Sequence, residues 1–153
     1  MRYLCIDLGD RRTGFASGDD VVGIVQPLEV VQASTPEAQV VAALAMIDEY
    51  GPNCVVVGLP YNMDGTEGPR AALVRLFATE LLARLPKLPR VALAFQDERL
   101  SSFDAEHRLN RTGRTHGEKK ALRDALAACA ILEDHLRMKR GETACDAQDE
   151  GDE

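Results

Sequence analysis

The chain contains no tryptophan, and aromatic residues make up only 5% of its 153 positions, so no platform on which successive nucleobases would stack is evident. Its four cysteines, Cys5, Cys54, Cys129 and Cys145, include no C-x-x-C pair and keep no metal-ligand spacing. The first three stand among apolar neighbours, which predicts buried thiols in a reducing compartment. No run comes near the ~18 apolar residues of a membrane span, and the N-terminus carries no charged-then-apolar leader. The expectation is a cytoplasmic protein with no membrane partner. There is no internal repeat.

A basic excess is missing too. The formal net charge of -7 argues at first sight against a polyanionic partner, but its distribution matters more than its sum. Six of the 25 acids, Glu142, Asp146, Asp149, Glu150, Asp152 and Glu153, lie beyond Gly141 with none of the 18 lysines and arginines. Residues 1–141 are therefore close to neutral. The end itself lacks periodicity and apolar content, so 142–153 is expected to be a disordered acidic tail with a solvating role. With 45% hydrophobic and 28% charged residues, the chain suits one globular domain with a core, placed at 1–141.

The β-favouring run Arg2-Tyr3-Leu4-Cys5-Ile6 leads straight into Asp7, Gly9 and the basic pair Arg11-Arg12, as a buried strand does when its last side chain is held for chemistry. An Asp at a strand end also closes turns on its own backbone, so this segment alone leaves its role open. Thr13 to Ser17 reads as a second strand, Gly18-Asp19-Asp20 as a tight turn and Val21 to Val31 as a third strand. The third belongs at the sheet edge, because Pro27 cannot donate to a ladder. Ser34-Thr35-Pro36-Glu37 is a capping box that opens a helix along Val40, Val41, Leu44 and Ile47, ended by Gly51-Pro52. Cys54 to Leu59 is a continuous apolar run, the pattern of a strand covered on both faces. Gly68-Pro69 starts a second helix along Leu73, Leu76, Phe77, Glu80 and Leu81, and Val91 to Phe95 is a fifth strand.

Strand-helix-strand links force parallel pairing with right-handed crossovers. The predicted class is therefore α/β: a five-stranded mixed sheet of order 3-2-1-4-5 with helices on both faces. Strand 1 is central in that order. Asp7, the loop Pro60 to Gly68, and Asp97-Glu98 then emerge at neighbouring carboxyl ends, where open α/β sheets keep their sites. Further on, Ser101 or Ser102 would cap a short helix through Leu109, and Arg111 to Gly117 reads as a mobile loop. Glu118 to Met138 is the longest helix, stopped by basic residues and Gly141.

Asp124 has Ala121, Ala127, Ala128 and Ile131 as helical neighbours, so its carboxylate lies on the face meant for the interior, where a lone charge is costly. Of Asp97 and Glu98, one can bond the next turn while the other faces the site, and spacing does not choose between them. Three carboxylates at one place repel unless cations sit between them, and hard oxygen ligands in that number suit Mg2+ or Mn2+. Between Arg108 and Arg123 stand six bases, Arg108, Arg111, Arg114, Lys119, Lys120 and Arg123, against the single acid Glu118. A solvated helix face accounts for part of this, and a phosphate-binding rim joined by Arg11 and Arg12 accounts for it better. His107 and His116 are expected to be solvated loop residues. The stretch Pro60 to Pro69 is satisfied by turn chemistry at Asp64-Gly65 and Gly68-Pro69, while its length and position also suit a loop facing substrate.

Four segments in order carry a resemblance: Asp7-Leu8-Gly9 with Arg11-Arg12-x-Gly14; Gly58 through Pro69; Asp97-Glu98-Arg99-Leu100-Ser101-Ser102; and Asp124-Ala125-Leu126-Ala127-Ala128. Together they resemble the YqgF family, bacterial pre-16S ribosomal RNA nucleases similar to RuvC-type Holliday junction resolvases, over residues 1 to about 138. The resemblance implies a ribonuclease H-like fold. It maps the family's acidic site onto Asp7, Glu98 and Asp124, which chooses Glu98 over Asp97. Asp10 and Thr13 depart from the family, which usually has an uncharged and a branched apolar residue there.

The expected activity is metal-dependent phosphodiester hydrolysis by two cations ~4 Å apart. Asp7 would bridge them, Glu98 and Asp124 would complete their coordination, and Arg11, Arg12, Arg111, Arg114, Lys119, Lys120 and Arg123 would hold the nucleic acid. Substrates expected are pre-16S rRNA or other structured nucleic acid. The alternatives are a junction-resolving DNA nuclease and a non-catalytic nucleic-acid-binding or ribosome-assembly module. An actin-like or sugar-kinase-like ATPase would need a second domain to close over its nucleotide. A homodimer is compatible with the nuclease expectation.

Overall fold

Alternation along the first strand sets the layers. β1 (Arg2–Leu8) sends Leu4 and Ile6 to one face and Tyr3 and Cys5 to the other, all buried. β2 (Arg12–Asp19) returns antiparallel beside it and β3 (Val25–Gln32) follows at the edge, while β4 (Cys54–Leu59) and β5 (Ala92–Asp97) run parallel to β1 on its other side. The sheet order is β3-β2-β1-β4-β5, as predicted, with Pro27 on the edge strand. The computed structural model that gives this architecture describes residues 1–99 and 116–149, with side chains for 1–99 and 123–141.

Helices α1 (Pro36–Tyr50) and α2 (Pro69–Arg84) cover the face of Leu4 and Ile6, where Val40, Ala43, Ile47, Val74, Phe77 and Leu81 pack with Phe15, Val55 and Val57. Helix α3 (His116–Asp149) covers the opposite face, laying Ala128, Cys129, Ile131, Leu132 and Leu136 on Tyr3, Cys5, Ala16, Cys54 and Val56. β4 lies between the two layers, which is why its run is apolar without alternation and buried throughout. Cys5, Cys54 and Cys129 are buried. Among the described residues no helix is long and apolar enough to cross a membrane.

Local departures have local causes. Asp19 Oδ1 accepts from the N–H of Val21 at 2.8 Å and of Val22 at 3.3 Å, and Gly23 takes φ 76°. The turn therefore falls after Asp19, and Val21 and Val22 point to solvent instead of opening β3. Thr35, not Ser34, caps α1, its Oγ1 accepting the Ala38 N–H, while Glu37 turns away to Arg84 of α2 at 2.8 Å. Gly51 ends α1 at φ 55°. On α2 the buried stripe is Ala71, Val74, Phe77, Ala78 and Leu81, leaving Leu73 and Leu76 outside; the small alanines let the helix come down onto the sheet. β5 is the second edge strand, with only Gln96 fully buried. α3 starts at His116 and passes Gly141, which does not adopt the positive φ that would have stopped it. The helix predicted before Leu109 and residues 111–115 of the loop predicted at 111–117 lie outside the described residues, whereas His116 and Gly117 belong to α3.

Candidate active site

Asp7 follows Tyr3 and Cys5 onto the α3 face, one residue before β1 ends. Across the antiparallel pair it stands beside Gly14. A Cβ at Gly14 would lie 2.4 Å from the backbone oxygen of Asp124, so α3 approaches the sheet at Asp124 because position 14 has no side chain. In β5, Ala94 packs into the α3 layer and Gln96 meets Met138 and His135 of α3. Alternation then carries Glu98 to that same face. Asp97 points the other way, accepting from the Arg99 backbone N–H at 3.0 Å and its guanidinium at 2.8 Å. Strand parity thus separates the two adjacent acids. Between β1 and β5, a Cβ on Gly58 would sit 2.7 Å from Glu98 Oε2 and 2.8 Å from Ile131 Cδ1, so that glycine leaves the room the glutamate uses.

The outcome is that the carboxyl groups of Asp7 and Glu98 share a hydrogen bond, with Asp124 near enough for its charge to act on Asp7. Burial pushes Asp7 well above the usual aspartate range, the charge of Glu98 and then of Asp124 push it further, and Arg70 pulls it back. Glu98 is raised as well, by burial, against the opposing effects of its bond to Asp7 and of Arg70. Two carboxyls in contact do not both ionise readily; they keep one proton or one cation between them.

Asp124 is engaged elsewhere. Arg12 Nε lies 3.0 Å from its Oδ2, with the two side chains 21% and 29% exposed. Among the described residues, no three His, Cys, Asp or Glu side chains are arranged to hold a metal ion. The contacting pair nevertheless has the hard-oxygen chemistry that a divalent cation requires. Asp7 and Glu98 fit such an ion; Asp124, held by Arg12, does not join them in this conformation.

The remaining expected residues scatter. Arg11 is exposed on the β1–β2 turn and Arg123 is exposed on α3. Lys119 and Lys120 lie on the first turns of α3 with side chains outside the described set, and Arg111 and Arg114 lie outside the described residues. His107 is likewise outside, and His116 opens α3. Asp10, the extra acid, is exposed, whereas Thr13 is fully buried and its Oγ1 has no hydrogen-bond partner among the described residues. The loop after β4 is internally bonded, Asn62 N–H to Thr66 O at 2.8 Å and Gly65 N–H to Asn62 O at 2.9 Å, with Gly65 at φ 87°. Sequence reasoning missed Arg70, whose charge reaches both acids from the start of α2. Its place directly after Gly68-Pro69, at the carboxyl end of β4, was the available signal.

A mixed sheet of this order, with acids at the ends of its central and edge parallel strands and on the helix crossing them, defines the ribonuclease H-like class. The same fold occurs in a crystal structure of the fowlpox virus resolvase with Holliday junction DNA, at TM-score 0.56 and 9% identity over 90% of this chain and 98% of that one. The family described as "RuvX: Holliday junction resolvase" matches residues 1–138. Proteins named "Putative pre-16S rRNA nuclease" are 45% identical over 136 residues in Anaeromyxobacter sp. (strain Fw109-5), covering 89% of this chain and 96% of that protein. Those in Thiobacillus denitrificans and Chloroflexus aurantiacus are 41% and 37% identical, covering 85% and 90% of this chain and 87% of each relative. The chain belongs to this family, the one its motifs resemble.

Proposed function

We propose that the chain is a metal-dependent nuclease that hydrolyses phosphodiester bonds in structured nucleic acid, with the precursor of 16S rRNA as substrate and Asp7, Glu98 and Asp124 as catalytic residues. The observation that carries this is the contact between Asp7 and Glu98, two acids 91 positions apart in sequence, at the carboxyl ends of parallel strands. The names of the relatives favour an RNA precursor. Asp7 and Glu98 would hold Mg2+ or Mn2+ in place of their shared proton, and Asp124 would complete the set. Such an ion supplies an acidified water and charge for the departing oxygen. Gly14 and Gly58 serve this by letting α3 and Glu98 approach. Arg11, Lys119, Lys120 and Arg123, with Arg111 and Arg114, would take flanking phosphates, adding attraction without sequence preference.

The test is cleavage of a pre-16S RNA fragment and of a four-way DNA junction in Mg2+, in Mn2+ and in chelator. Wild type should cut the RNA only with metal, and Asp7→Asn and Glu98→Gln should each lose most of that activity. Cleavage of the junction alone would favour the second reading, a resolvase, which the family description supports. Binding without cleavage would make the chain a non-catalytic module.

A further inference from the structure

We propose that Arg12 is a positioning residue: it holds Asp124 apart from the Asp7–Glu98 pair in the resting protein and gives it up when a substrate phosphate takes the arginine. This rests on the reading of the three acids as a metal-holding nuclease site. The backbone of Arg12 is pinned. Its carbonyl accepts the Gly9 N–H at 2.9 Å, a Cβ on Gly9 would sit 2.7 Å from that oxygen, and Arg12 pairs with Gln32 in the ladder. Only the side chain is left to move. It projects on the face of Gly14 and Ala16, toward α3, where its Nε meets Asp124 Oδ2 at 3.0 Å.

Both partners are partly exposed, so a phosphate can compete for the guanidinium, whose planar fork matches phosphate oxygens as well as carboxylate. The acid, for its part, already acts on Asp7 through its charge yet belongs to no metal-holding set of three among the described residues. One exchange satisfies everyone: Arg12 moves to a phosphate, and Asp124 turns its oxygens to a cation shared with Asp7 and Glu98. Metal and nucleic acid then bind with positive coupling through this ion pair, because each removes the other's competitor.

The experiment measures Mn2+ affinity without nucleic acid, by the electron paramagnetic resonance signal of free Mn2+. Arg12→Met and Arg12→Gln should bind Mn2+ about fivefold tighter than wild type, the effect of releasing a partly exposed ion pair. Adding Asp124→Asn to either should cancel the gain. The maximal cleavage rate of both neutral variants should fall, since the phosphate loses its partner. Unchanged or weaker Mn2+ affinity in whichever neutral variant folds, while Asp7→Asn and Glu98→Gln weaken it, overturns the latch and leaves the metal site standing. A gain in affinity with an undiminished rate overturns the phosphate half of the exchange. Mn2+ binding indifferent to Asp7→Asn and Glu98→Gln removes the metal site itself and the latch with it.

Discussion

Asp7 and Glu98 are placed where their ionised forms oppose the fold. Because both titrate above their usual range in the native protein, the native state binds protons more tightly than the unfolded chain across that window. The stability they contribute is fully present below the ordinary carboxylate range and is lost as pH rises through their raised values. Without metal, Asp7→Asn should therefore melt higher than wild type near pH 7 and about equal to it near pH 4. Parallel melting-temperature profiles across pH would show that Asp7 is not strained. Glu37, Asp64, Glu67 and Asp97 are shifted down, chiefly by bonds to Arg84, Thr66 and Arg75 and, for Asp97, by Arg99 against its partial burial. They act in the opposite sense, losing their contribution as pH falls. Thr13 makes a second case at this scale. Its buried hydroxyl finds no partner among the described residues, so Thr13→Val, similar in shape, should raise stability by about 1 kcal/mol, read from denaturant midpoints. A lower midpoint would mean that the hydroxyl is bonded in solution.

Two glycines decide how closely whole elements approach, and they should fail differently. Alanine at Gly14 meets backbone atoms of α3, which cannot yield without moving the helix. Gly14→Ala should cost about 1–3 kcal/mol and also displace Asp124, lowering both melting temperature and cleavage. Alanine at Gly58 meets the end of Glu98 and one methyl of Ile131, groups that can rotate aside. Gly58→Ala should keep most of the stability and lose most of the cleavage. Equal stability losses in the two variants would contradict this division. At the ends of α1 the controls are ordinary: Thr35→Ala removes the side-chain acceptor of the Ala38 N–H and should cost about 1 kcal/mol.

Across the whole molecule, one helix links two charge extremes. α3 carries Lys119, Lys120 and Arg123 near its start and the first acids beyond Gly141 near its end. At 1.5 Å per residue, Glu142 lies roughly 27 Å along the helix from Asp124. That exceeds the Debye length of about 8 Å at physiological salt but is comparable to the ~30 Å at 0.01 M. Removing residues 142–153 should therefore leave the melting temperature and physiological-salt nucleic-acid binding nearly unchanged, and tighten binding only at low salt. Tightening at both ionic strengths would place the acids beside the substrate path.

The order of elements, the parallel core and the central place of β1 were legible in the sequence, because hydrophobic period, Pro27, Thr35, Gly51 and Gly68-Pro69 act locally and connection rules restrict what remains. The inward face of Asp124 was legible for the same reason. What local pattern could not supply was anything that depends on two distant backbones meeting. Spacing left Asp97 and Glu98 equivalent; strand register and the space over Gly58 separate them. The spacing of α2 ran through Leu73, Leu76, Phe77 and Leu81, but of these only Phe77 and Leu81 are buried, beside Ala71, Val74 and Ala78. Arg12 read as part of a basic rim, and its ion pair with Asp124 exists only because the missing side chain of Gly14 brings α3 down beside β2. Composition and period thus determined which acids this protein has and at which ends of which elements. Tertiary approach decided which two carboxyls meet and which one an arginine holds.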